Sequence, residues 1–191
     1  MIIKRELFLI AIISILLSSS YYQRINAIII NTTILNPIAD AYTTWSMPSS
    51  NHGYHDVIGL SELDGASIYL KFNLKDIIFN ATILSAELSL FCDDIFLLST
   101  IPVNVAVRYS PDNSWTELRI TARNAPSPIG EGVSKDVEWD STWYTWDIKE
   151  FVEKAVESQQ DKVTLVVLTR TYKGGLYFSS REGNNPPKLI I

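Results

Sequence analysis

The residues best suited to chemistry are aromatic and gather around one loop. Trp45, His52, Tyr54 and His55 fall in or beside the stretch 46–65, which Pro48-Ser-Ser-Asn-His-Gly53 and Asp64-Gly65 mark as irregular. Flat rings with polar tips, presented from a loop, are what stacks on the CH face of a pyranose while rim groups bond its hydroxyls. Tyr144 in the central segment and Tyr172-Lys173 near the end extend this candidate binding set. Catalysis has little to draw on. His52 and His55 share the loop without a nucleophile beside them, Cys92 sits in an apolar run, and no metal-ligand spacing is present. Acidic pairs exist, but nothing places two of them across a cleft. No enzyme is expected.

Asp40, Asp93, Asp94, Asp136 and Asp147 could offer hard oxygen ligands to Ca²⁺. No Asp-x-Asp-x-Asp-Gly loop accompanies them. Asp147 is better placed as a helix cap and Asp93-Asp94 as a strand end, so a calcium role is kept open at Asp40 and no other cofactor is expected. Asn31-Thr-Thr33 and Asn80-Ala-Thr82 are glycosylation acceptors by pattern.

The elements that must position these side chains are mostly strands. Ile68, Leu70 and Phe72 alternate with polar neighbours, as do Ala86, Leu88, Leu90 and Cys92, and then Val103, Val105 and Val107. Ala27–Leu35 is mostly β-branched and stops at Asn36-Pro37, Asp40–Thr44 could be a second strand, and Val163–Leu168 reads as one covered on both faces. Asn124–Gly132 reads as a long turn cluster. Trp115, Trp143 and Trp146 are expected in the core or at corners. One helix is predicted: Ile148, Phe151, Val152, Ala155 and Val156 recur at helical spacing, with Asp147 as N-cap and Glu150 completing a capping-box-like pair. Eight or nine strands and one helix, without β-α alternation, favour an all-β antiparallel sandwich.

At the C-terminal end, Pro186 and Pro187 introduce an apolar run, Leu189 to Ile191, suited to a last buried strand. The chain has 191 residues, 47% of them hydrophobic, enough for one domain with a substantial core. Residues 1–20 have the charge order and short apolar stretch of a secretory signal, with cleavage as late as residue 27 and an uncut anchor as the alternative. Cutting after Ser20 removes Lys4, Arg5 and Glu6, taking the formal net charge from -5 to -6. That acidity argues against nucleic acid and anionic membrane as partners. A single cysteine, Cys92, cannot form an internal disulfide, so an exported chain must rely on its core.

Several segments, taken in order, resemble a known family. They are Asp40-Ala-Tyr42, Pro48–Gly53 and Tyr69–Leu74, then Ile83–Leu90 and Trp115-Thr-Glu117 with Ile120-Thr121 and Asn124-Ala-Pro126. Trp146-Asp-Ile148 with Phe151-Val152 and Phe178-Ser-Ser-Arg-Glu182 with Pro187-Lys-Leu189 complete the set. Together they resemble the DNRLRE domain, also classed as carbohydrate-binding module family 96. The resemblance implies a jelly-roll β-sandwich in secreted or cell-surface proteins. It places the domain at 39–191, behind an extension at 21–38 that carries the extra strand. Terminal strands of a jelly roll often lie side by side, so an ion pair of Arg181 with Asp40 or Glu182 is expected to tie the ends together. The expected function is an extracellular, non-catalytic module for a polysaccharide or surface glycan. The alternative is a coat or filament subunit that self-associates by donating Ala27–Leu35 to a neighbour.

Overall fold

Alternation of apolar and polar side chains turns one face of each strand inward, and the fold is built on that period. A computed structural model of the chain describes residues 30–77, 82–97, 102–169 and 174–191. The expected signal segment, Asn80, Tyr172, Lys173 and the first residues of the expected strand Ala27–Leu35 lie outside these. Thr32–Ile191 form one compact unit. Its first strands are β1 (Ile34–Leu35), β2 (Pro37–Thr43), β3 (Val57–Ser61), β4 (Ser67–Asn73) and β5 (Glu87–Leu97). Next come β6 (Val103–Ser110), β7 (Ile129–Val137), β8 (Thr142–Asp147) and the helix α1 (Lys149–Glu157). The chain closes with β9 (Lys162–Thr169), β10 (Gly174–Ser179) and β11 (Lys188–Ile190).

Two sheets form the sandwich. One runs β1-β11-β5-β10-β3, with β8 also paired to β5; the other runs β2-β4-β9-β6-β7. All pairings are antiparallel. Between the sheets, Ile68, Leu70 and Phe72 of β4 meet Leu88, Leu90 and Cys92 of β5. Val105 and Val107 of β6 and Val163, Leu165 and Val167 of β9 join the same sealed cluster. Each such side chain contributes roughly 1.5–3 kcal/mol by leaving water. Trp146 and Phe178 pack edge to face at 6.1 Å, and the Trp146 indole Nε1–H donates to the Val105 carbonyl at 3.1 Å. The helix adds Phe151, Val152 and Ala155 to this core.

The outer faces of the two sheets are treated differently. On the β2-β4-β9 side, the connection between β6 and β7 lays Trp115 and Ile120 over Ala39, Ala41, Tyr69 and Val166. This explains why β9 is apolar on both faces. Trp115 is fixed by its Nε1–H donating to Thr164 Oγ1 at 3.0 Å, and Lys71 Nζ lies 4.3 Å from the ring centroid. That ammonium donates to the Asn113 and Trp115 carbonyls, so a buried cation is fully engaged. On the other sheet, the outer face keeps Phe96, Tyr177 and Trp143 open to solvent.

Three expectations need correction. Eleven strands are described rather than eight or nine: β3 lies inside the expected loop 46–65, and β7 begins inside the expected turn cluster Asn124–Gly132. Of the expected strand Ala27–Leu35, the described part keeps only Ile34–Leu35. Its partner β11 offers just three ladder residues, so there is little for a longer strand to bond. The helix begins one residue later than predicted, with Ile148 at the N-cap position and no capping side chain there. Asp147 is held as the last residue of β8, opposite Glu87, so its backbone cannot serve as the cap. Its Oδ1 still accepts the Lys149 N–H at 3.1 Å.

Candidate functional site

The β2–β3 connection is fastened at its start and its middle before it presents any side chain. Thr44 Oγ1–H and Trp45 N–H both donate to the Asp64 carbonyl at 2.9 Å, tying it to the β3–β4 turn. At its middle, Asn51 Nδ2 donates to the Glu117 and Ile120 carbonyls at 2.7 and 2.8 Å. A side chain at Gly53 would collide with Glu117, so the residue lets the loop lie flat on the β6–β7 connection. The rings then form a pile. Tyr42 and His52 stack at 4.3 Å, His52 and His55 at 5.6 Å, and His55 and Tyr54 at 4.4 Å.

Within this pile the roles diverge. Tyr54 is 66% exposed and Trp45 64%, whereas His52 is 7% exposed and neither ring nitrogen has a partner among the described residues. Burial, and then His55 beside it, lowers the His52 pKa, so the ring stays neutral and acts as a spacer. Trp45 packs its Cδ1 against Gly65, whose φ of +57° closes the β3–β4 turn. Burial raises the Tyr42 pKa, with Tyr177 and Tyr54 as the next causes. Tyr42 thus stands between the ring pile of the loop and Tyr177 of the open sheet.

On that sheet, glycines and aromatics alternate across strands. Tyr177 of β10 faces Gly59 of β3, and Phe96 of β5 faces Gly175 of β10. A Cβ at Gly59 would come 3.0 Å from the Tyr177 ring; one at Gly175 would strike the Phe96 ring and sit 2.7 Å from the Leu60 carbonyl. Each ring thus lies down over a glycine instead of standing up from the sheet. The two rings, 5.3 Å apart, make a platform. Beside it is an open cleft of about 180 Å³, walled by Tyr42, Phe96 and Tyr177 and rimmed by Thr44, Ser46, Ser61 and Asp64. Apolar rings with hydroxyl and carboxylate groups at the edge can stack on a sugar and bond its hydroxyls.

None of the loop candidates Trp45, His52, Tyr54 and His55 lines the cleft: Trp45 lies between Thr44 and Ser46, which do, and His52 stacks on its wall Tyr42, while the walls themselves were missed by sequence reasoning. Glycines within strands, such as Gly59 and Gly175, were the available signal. Tyr144 is elsewhere. Its hydroxyl accepts the Glu138 and Trp139 N–H groups and donates to the Trp139 carbonyl, so it pins the β7–β8 turn and does not line the cleft. Trp115 and Trp146 are buried as expected, but Trp143 is 37% exposed because its place in the β8 register faces outward beside Phe91.

Asp40 and Arg181 do meet, though by the main chain: the Arg181 N–H donates to Asp40 Oδ2 at 2.7 Å. The guanidinium Nε donates to Glu182 Oε1 at 2.6 Å and lies 3.3 Å from Glu117 Oε1, while its NH1 donates to the Ile38 carbonyl. Asp40, Glu117 and Glu182 bring carboxylate oxygens within 4.8 Å of one another, a group with the reach to hold a cation. Arg181 already places a positive charge among them. Asp93, Asp94, Asp136 and Asp147 do not belong to this group. Burial first of all, opposed by the Arg181 N–H and reinforced by Glu182 and Glu117, pushes the Asp40 pKa up to about 7. Glu117 carried no periodic signal, because it sits in the irregular β6–β7 connection.

No curated protein matches the sequence. The profile of carbohydrate-binding module family 96 matches residues 31–191, nearly all of the described chain. On that match, the chain belongs to carbohydrate-binding module family 96.

Proposed function

We propose that this protein is an exported, non-catalytic module that holds a polysaccharide or surface glycan in the cleft beside the Phe96–Tyr177 platform. The observation that carries the reading is the pair of rings laid over Gly175 and Gly59 on the open face of the sheet. Exposed apolar rings cost solubility and suit a face that stacks a ligand. A binding role without catalysis fits the remaining groups. His52 is stacked between rings, and burial pushes the Cys92 thiol up to about 12, out of reach of nucleophilic work. Export follows from the reading of residues 1–20.

Electrophoresis through gels containing xylan, mixed-linkage glucan, galactomannan or polygalacturonate tests the proposal. At least one polymer should retard the protein, and Tyr177→Ala and Phe96→Ala should abolish the retardation. Trp45→Ala, at the margin, should weaken it. Free mobility in every gel, or retardation untouched by Tyr177→Ala, would overturn the assignment.

A further inference from the structure

The open face continues beyond the cleft. Phe91 of β5 faces Trp143 of β8 across the ladder, with the rings edge to face at 5.4 Å and 67°. Lys188 of β11 is paired with Ser89 and reaches over β5, so that its Nζ lies 4.6 Å from the Trp143 ring centroid. Covered in this way, Ser89 is buried although its side of the strand faces outward. Trp143 remains 37% exposed, and the turn preceding it presents Trp139 at 70%.

Phe91 and Phe96 stand on one strand, separated by five residues and an irregularity in the β5–β10 register near Cys92–Asp94. At about 3.3 Å per residue they are roughly 16 Å apart, somewhat less if the irregularity bends the strand. Both point outward, because Leu88, Leu90 and Cys92 take the inner face and the register shift restores Phe96 to the outer one. Asp94, exposed and paired with Tyr177, lies between the two aromatic groups and offers a hydroxyl acceptor. A single sugar ring cannot reach from one group to the other, whereas a run of several can.

We infer that this face binds an internal stretch of an extended polysaccharide chain through two aromatic subsites. One is Phe96–Tyr177; the other is Trp143–Phe91 with Lys188. This rests on the glycan-binding reading above, and it assigns to the second group a contact that only longer chains can make. Two stacking sites on one ligand add through effective concentration, so affinity should climb with chain length until both are filled and then level off.

Calorimetry with a size series from disaccharide to octasaccharide, cut from whichever polymer retards the protein, tests this. The octasaccharide should bind at least about tenfold more tightly than the disaccharide. Trp143→Ala should remove that gain, Lys188→Ala should remove part of it, and Tyr177→Ala should lower the affinity for both ligands. As a check independent of variants, the Trp143 indole N–H resonance should move with octasaccharide and stay put with disaccharide. Affinity that is flat with length, or a full gain retained in Trp143→Ala, overturns the two-subsite inference and leaves the cleft reading intact. Failure of the unaltered protein to bind any polymer overturns both.

Discussion

Asp40 shows how far one residue can shape the pH response of the whole chain. It is sealed from solvent, and burial raises its pKa from 3.8 to about 7. The folded state therefore holds this proton more tightly than the unfolded chain does. The stability it contributes is complete below the unfolded value of 3.8 and is lost as pH rises through about 7. Melting temperature should accordingly fall across that window. Asp40→Asn keeps an oxygen to accept the Arg181 N–H and has no charge to bury, so it should flatten the fall and raise the melting point on the alkaline side. An Asn variant that melts lower than the unaltered protein above neutrality would contradict the account. The residues of this cluster were only partly legible in the sequence. The meeting of chain ends at Asp40 and Arg181 could be read from their positions, but the geometry differs: Asp40 takes the main-chain N–H and the side chain turns to Glu182 and Glu117.

At the scale of elements, periodicity identified what is buried and missed what is not. β4, β6 and β9 were legible because alternate or successive residues enter the core. β7, Ile-Gly-Glu-Gly-Val-Ser-Lys-Asp-Val, is an edge strand whose residues are mostly exposed, and only Val137 is fully sealed. Without a buried face there is no apolar alternation to read. β3 was hidden by the turn residues on either side of it. Helix α1 was found from its apolar spacing, but its start was misjudged because β8 claims Asp147. Asp147→Ala should cost about 0.5–1 kcal/mol in urea unfolding, the low end for a cap, because one N–H loses its acceptor. A loss above about 2 kcal/mol would mean the carboxylate does more than this. Gly175→Ala belongs to the same scale. Its methyl group would press on the Leu60 carbonyl and the Phe96 ring, so stability should drop by about 1–3 kcal/mol. Glycan retardation should be lost along with it, as the ring is lifted from the sheet; retention of both would show that the platform does not depend on a flat floor.

For the molecule as a whole, the issue is whether the N-terminal strand completes its own sandwich or a neighbour's. β1 joins the edge of the sheet that carries Phe96 and Tyr177 through antiparallel pairing with β11 of its own chain. Thr33 N–H donates to the Ile191 carbonyl at 2.7 Å, and Ile191 N–H donates back to Thr33 at 2.9 Å. Leu35, opposite Leu189, packs against the main core, while Ile34 stays exposed. A strand that already has its partner has little to gain from donation, since exchange would replace these bonds with equivalent ones and add the entropy cost of association. The intact protein should therefore be monodisperse in light scattering. Deleting residues 21–35 removes the β1–β11 pairing, the two Thr33–Ile191 main-chain bonds and the burial of Leu35, together worth on the order of 3 kcal/mol. It also bares the edge of β11, which invites association. The truncated chain should therefore unfold at lower denaturant and aggregate on concentration, and a peptide spanning residues 30–36 should restore the midpoint. Polymers formed by the intact protein, with a truncated form that stays monomeric and equally stable, would instead establish strand donation between chains.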